Sequence, residues 1–163
     1  MDMETALGGT GSIHVLLNDL EKEKGISFSV TLGGKTQQKA QWFKLIDVPV
    51  EINSGIIERT EKEWPGNPYV IRRAPFRVYD AMQPVGSSVK ASDPVMAFRL
   101  HIPVNRNEKS GVRDYKIRIR NGKNEQTLCL RLRISKAVIH AIGKDSFPYT
   151  NWFSMEIMAQ RHP

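Results

Sequence analysis

Acid chemistry needs two carboxyl groups that face each other, or one acid aided by a group on the substrate. The densest acidic run is Glu58, Glu61 and Glu63, but it is interleaved with Arg59 and Lys62 and runs into Trp64-Pro65-Gly66. A charge-rich loop of this kind reads as solubilising. Asp80, Asp93 and Asp145 lie near prolines, glycines or serines, where aspartate commonly shapes turns. No catalytic pair is expected within the chain. Cys129 is the only cysteine, which excludes an intrachain disulfide and a cysteine-based zinc site. It lies mid-strand among arginines, and an inert, partly covered thiol is the plainer reading. His14, His101, His140 and His162 are not spaced as helix or turn ligands, so no metal and no cofactor is expected. Neither a Gly-x-Ser-x-Gly elbow nor a phosphate-binding glycine loop occurs. Gly8-Gly9-Thr10-Gly11 reads as part of a flexible arm.

Cations outnumber carboxylates, 24 to 17, giving a formal charge of +7. Arg99, Lys116, Arg118, Arg120, Arg131 and Arg133 fall at alternate positions of three apparent strands, and would share one outer face if those strands pair in order. Such a face could track phosphates. Nucleic-acid modules usually set stacking aromatics among their cations, and here only His101 accompanies them, because Phe98 and Tyr115 fall on the apolar side. A solvated face, or one docked on an acidic neighbour, is therefore preferred to nucleic-acid binding. Trp64 is the only tryptophan in an obvious loop, and it is the candidate for carbohydrate contact. Trp42 and Trp152 sit in apolar surroundings and read as core or interface.

Positioning these groups falls to strands. Ile26, Phe28, Val30 and Leu32 alternate with Ser27, Ser29 and Thr31, the period of a half-buried strand. Ser12 to Leu17, Trp42 to Ile46, Val48 to Ile52 and Phe76 to Tyr79 are shorter runs, with Pro49 suited to an edge or a bulge. Beyond Pro94 the alternation is clearest. Met96, Phe98, Leu100 and Ile102 form one run; Tyr115, Ile117 and Ile119 a second; Leu128, Leu130, Leu132 and Ile134 a third. An Asn121-Gly122 signal joins the last two as a hairpin, and the three together suggest an antiparallel meander. Ala137 to Ile139 suggests a final strand. No helical periodicity of ten or more residues precedes Trp152, and no run approaches the roughly 20 apolar residues of a membrane span.

Several segments, taken in order, carry a resemblance. They are Trp42-Phe43-Lys44-Leu45-Ile46-Asp47-Val48-Pro49-Val50-Glu51-Ile52-Asn53-Ser54-Gly55, Arg72-Arg73-Ala74-Pro75-Phe76-Arg77-Val78-Tyr79-Asp80-Ala81, Phe98-Arg99-Leu100-His101-Ile102-Pro103-Val104 with Gly111-Val112-Arg113-Asp114-Tyr115, and Phe147-Pro148-Tyr149-Thr150-Asn151-Trp152-Phe153. Their order resembles the N-terminal β-sandwich domain that precedes the catalytic barrel in proteins similar to glycoside hydrolase family 123. The resemblance runs from about Ser12 to Phe153. It implies an accessory domain of a bacterial hydrolase acting on N-acetylgalactosamine-type glycosides. The family's catalytic residues are an adjacent Asp-Glu pair on the barrel. No Asp is followed by Glu in this sequence, and a barrel of roughly 250 residues does not fit, so no catalytic residue is carried over.

The expectation is an all-β, antiparallel sandwich of Ig-like or jelly-roll type, ending in the start of a truncated C-terminal element. Residues 1–11 would be a flexible arm, 12–154 the accessory domain, and 155–163 the start of a linker or helix to an absent catalytic domain. The expected partner is that catalytic domain, through an interface including Trp152, Phe153, Arg118 and Arg131, and a glycan is a further candidate. No membrane partner is expected. A free-standing carbohydrate-binding module is the alternative, with nucleic-acid binding ranked below it. Met1 to Gly11 lacks the basic-then-apolar pattern of a secretion signal, which favours the cytoplasm.

Overall fold

The alternating runs become strands that hide every second side chain between two sheets. The structure is a computed structural model that describes residues 1–53 and 72–140. Its strands, in chain order, are β1 (Asp2–Leu7), β2 (Thr10–Leu17), β3 (Gly25–Leu32), β4 (Lys35–Thr36), β5 (Gln41–Val50), β6 (Phe76–Val85), β7 (Ser88–Lys90), β8 (Met96–Pro103), β9 (Gly111–Asn121) and β10 (Asn124–Val138). One sheet has the order β1-β10-β9-β3-β4, with β7 also on β3, and the other has the order β2-β8-β5-β6. All pairs are antiparallel except β1 with β10. The expected all-β sandwich is the observed architecture.

The core lies between the sheets. Ile26, Phe28 and Val30, Tyr115, Ile117 and Ile119, and Leu130, Leu132 and Ile134 enter it from the first sheet. Ile13 and Val15, Trp42, and Met96, Phe98, Leu100 and Ile102 enter from the second. Phe28 ties the layers together, stacking on Trp42 at 4.4 Å between centroids and tilting against Phe98 at 5.0 Å. Full burial of one such side chain stabilises the fold by about 1.5–3 kcal/mol, and ring geometry adds about 0.5–1.5 kcal/mol per pair. Trp42 is thus a core residue.

Four local expectations are corrected. Residues 1–11 are not an arm: β1 runs parallel to β10, with Asp2 opposite Arg131 and Thr5 opposite Ile134. Gly8-Gly9 is the corner at which the chain leaves the first sheet for the second. It is pinned to the opposite crossover, Val104 to Ser110, by Gly8 N–H to Val104 C=O at 3.1 Å and Val104 N–H to Gly9 C=O at 2.9 Å. That second crossover breaks the expected meander, because β8 pairs β2 and β5, whereas β9 pairs β10 and β3. Alternation reports which face a side chain takes, but not which strand is its neighbour. The runs 42–46 and 48–52 fuse into β5, which ends at Val50, and residues 137 and 138 continue β10 rather than starting another strand.

The hairpin is as expected. Asn121 faces Asn124 across Gly122-Lys123, and Gly122 has φ +58°. A positive φ at the first central residue matches the right-handed twist of the flanking strands. Pro49 pairs with β6 on one side, at a level of β5 that β8 does not reach, so its missing N–H deprives no central ladder.

Candidate functional site

The basic stripe divides between the two sheets. Lys116, Arg118 and Arg120 on β9 and Arg131 and Arg133 on β10 share the outer face of the first sheet. Arg99 stands on the outer face of the second. The stripe is also far less basic than the arginines alone suggest. Asp114 accepts from Arg131 Nε at 2.9 Å, Glu125 pairs with Arg118 at 3.2 Å, Glu4 is level with Arg133, and Asp2 is level with Arg131. Five cations of β9 and β10, with Lys90 of β7 at the margin, therefore share the face with four carboxylates. The hydrogen bond to Asp114, with its charge and that of Asp2, holds the Arg131 guanidinium still more firmly protonated. Arg120 Nε donates to the Gly122 carbonyl at 3.0 Å. Ser27, Ser29, Thr31 and Thr127 fill the neighbouring positions. Asp114 and Glu125 have the same parity as the arginines of their strands, so pairing through the Asn-Gly turn is the signal that reveals the neutralisation.

Cys129 stands on this face and is exposed, not partly covered, because odd positions of β10 point outward. Of the acidic candidates, Asp80 is exposed at a register shift of edge strand β6, where Tyr79 faces Asp47 and Ala81 faces Ile46. Asp93 accepts from the neighbouring Ser92 hydroxyl at 2.7 Å. Glu58, Glu61, Glu63, Trp64, Asp145, Trp152 and Phe153 lie outside the described residues. Among the described residues no three His, Cys, Asp or Glu side chains come together in a metal-holding group.

The ends of the 54–71 connection are bolted together at its base. Asn53 Nδ2 donates to the Arg72 carbonyl at 2.9 Å, and the Ala74 amide donates to Asn53 Oδ1 at 2.5 Å. The Arg72 guanidinium lies over the Phe76 ring at 4.6 Å, and Arg77 pairs with Asp47 across β5 and β6. The hydrogen bond from Arg77 holds the Asp47 carboxyl below the ordinary carboxylate range.

On the outer face of the second sheet, cross-strand rows set Leu16 beside Ala97, Leu45 and Met82, and His14 beside Arg99, Phe43 and Pro84. Arg99 Nε donates to the Ser12 hydroxyl at 2.6 Å. His101 lies 4.8 Å from the Phe43 ring, and its Nε2 is buried without a hydrogen-bond partner. Burial first, then the charge of Arg99 and the neighbouring His14, lowers its pKa, so the ring is neutral at pH 7.

The last feature is a groove at the seam between the sheets, and nothing in the sequence reading pointed to it. It has a volume of 440 Å³ and runs along the C-terminal end of β2 and the N-terminal half of β10. Val15, Leu16, Leu17, Leu20, Ile119 and Leu128 supply its apolar wall. Leu16 is 61% exposed. Asp19 and Glu125 are the charged residues of the lining.

No protein-family model matches the chain, and no curated protein matches it. Among solved structures, a family 123 glycoside hydrolase from Clostridium perfringens, described in terms of glycolipid glycan hydrolysis, superposes with a TM-score of 0.55 at 13% identity. The match covers 85% of this chain and 23% of the enzyme. A PapD-like domain of human CEP192 matches with a TM-score of 0.35 at 11% identity, over 85% of this chain and 82% of that one. The chain spans less than a quarter of the hydrolase it resembles, and the likeness is one of fold.

Proposed function

We propose that the chain is a non-catalytic accessory β-sandwich of a bacterial glycoside-hydrolase-like protein, preceding and supporting a separate catalytic barrel. The observation that carries this reading is the superposition on the family 123 enzyme, which takes in nearly all of this chain but only 23% of that one. That proportion suits one domain of a larger hydrolase. The residues support the same reading. Asp80 and Asp93 are each exposed at the sandwich periphery, and Asp93 is engaged by the neighbouring Ser92 hydroxyl.

Assaying the isolated chain against aryl N-acetylgalactosaminides tests the proposal, and the expected result is no turnover. Turnover abolished by Asp80→Asn, Glu58→Gln or Glu61→Gln would overturn it. Glycan binding by the isolated chain that is lost in Trp64→Ala would instead favour the carbohydrate-binding module.

A further inference from the structure

We propose that the seam between β2 and the first half of β10 is a docking groove for an extended peptide strand, which pairs with the edge of β10 left open among the described residues and carries alternating apolar side chains and one basic residue. The edge already accepts a strand along part of its length. β1 occupies it from Arg131 to Val138, and among the described residues no strand pairs that side of Asn124–Leu130. Backbone direction on this edge follows from one bond. The Arg131 N–H donates to the Met1 carbonyl at 2.9 Å, so odd-numbered residues of β10 aim their N–H and C=O groups toward β1. The register with β9 is unbroken from Asn124 to Ile134, so Glu125, Thr127 and Cys129 aim theirs the same way. The Met1 nitrogen donates to the Cys129 carbonyl at 3.2 Å, in keeping with that direction.

A strand laid along Asn124–Leu130 meets these backbone groups as donors and acceptors, which is strand addition to a sheet edge. Its alternate side chains fall into the groove against Leu17, Ile119 and Leu128, beside the exposed Leu16. An exposed leucine next to an edge unpaired among the described residues is a feature that β proteins otherwise blunt with bulges or charge. Charge selects the occupant. The charged lining consists of Asp19 and Glu125 with no cation, although the chain as a whole is net +7. Glu125 is shared with Arg118 at 3.2 Å, which leaves Asp19 as the carboxylate to meet a basic residue. A second copy fits less well, because a symmetric pairing would bring the same carboxylates face to face between two cationic molecules.

The test uses the whole chain, isotope-labelled, titrated with an acetylated and amidated octapeptide of sequence KVTVSLTG in one-letter code. The expected result is saturable binding with slowed exchange of the Thr127 and Cys129 amides and unchanged protection of β1. Thr127→Pro should weaken binding about tenfold or more. It removes an outward N–H while sparing the bonds to β9. Asp19→Lys, a surface change away from the ladder, should weaken binding of the peptide but leave an analogue with serine in place of lysine unaffected. No binding at millimolar peptide, or binding indifferent to both variants, would overturn the proposal. Peptide that displaces β1, or self-association that Thr127→Pro abolishes without peptide, would overturn it in favour of the chain's own edge.

Discussion

At the scale of single residues, two buried polar groups show how local satisfaction decides behaviour. Asn121, 5% exposed, ties its hairpin to the turn before β3 by accepting from the Glu21 amide at 2.8 Å and donating to the Gly25 carbonyl at 3.4 Å. It is a buried amide with a partner at each end, as such groups require. His101 is the opposite case, with an orphaned Nε2 and a ring that burial keeps neutral. Its folded pKa lies below the ordinary 6.5. Below that pH the unfolded chain takes up a proton that the folded chain resists. The His101 contribution is therefore complete above pH ~6.5, declines as acid is added, and levels off once the folded pKa is passed. Urea midpoints measured from pH 7 downward should fall in the native chain, and His101→Phe should flatten that part of the slope. An unchanged slope in His101→Phe would contradict the assignment.

At the scale of elements, the strands were legible and several of their neighbours were not. The runs around Phe28, Leu100, Ile117 and Leu132 alternate so regularly that each core face could be read directly, and Asn121-Gly122 fixed one register. Nothing local marked the transfer of β8 to the other sheet. Parallel pairing of Asp2 with Arg131 joins residues too far apart in sequence for any periodicity to report. Gly8-Gly9 departs from the expected arm for a related reason, since a glycine pair signals conformational freedom but not what crowds it. A paired substitution separates those two effects. Gly8 has φ +81° and Gly34 φ +80°, so alanine is strained equally at either site, by about 1–2 kcal/mol. A Cβ at Gly34 meets nothing within 4 Å, whereas one at Gly8 comes within 2.9 Å of the Ile139 carbonyl oxygen and 2.8 Å of Arg106 Cγ. Gly8→Ala should lower the denaturant midpoint clearly more than Gly34→Ala. Equal losses would show that the two crossovers are not held in close contact.

At the scale of the whole molecule, the question is where a net charge of +7 resides and whether it makes the chain an anion binder. Two features of the first sheet argue against a nucleic-acid platform there. Its cations face Asp2, Glu4, Asp114 and Glu125, and its outward neutral positions hold Ser, Thr and Cys rather than rings on which bases could stack. Exposed ion pairs such as Arg131–Asp114 add little to stability, so their carboxylates can be neutralised without unfolding the sandwich. That makes the face testable by gain of function. The native chain should bind a labelled single-stranded oligonucleotide weakly at low salt and not measurably at moderate salt. Asp114→Asn with Glu125→Gln leaves the five cations of β9 and β10 opposite two carboxylates, so affinity should rise and its salt dependence should steepen, because each new phosphate contact releases condensed counterions. Micromolar binding by the native chain at moderate salt, lost in Arg118→Glu with Arg131→Glu, would mean that the carboxylates do not mask the stripe, and would move nucleic acid ahead of a protein neighbour as the partner of this face.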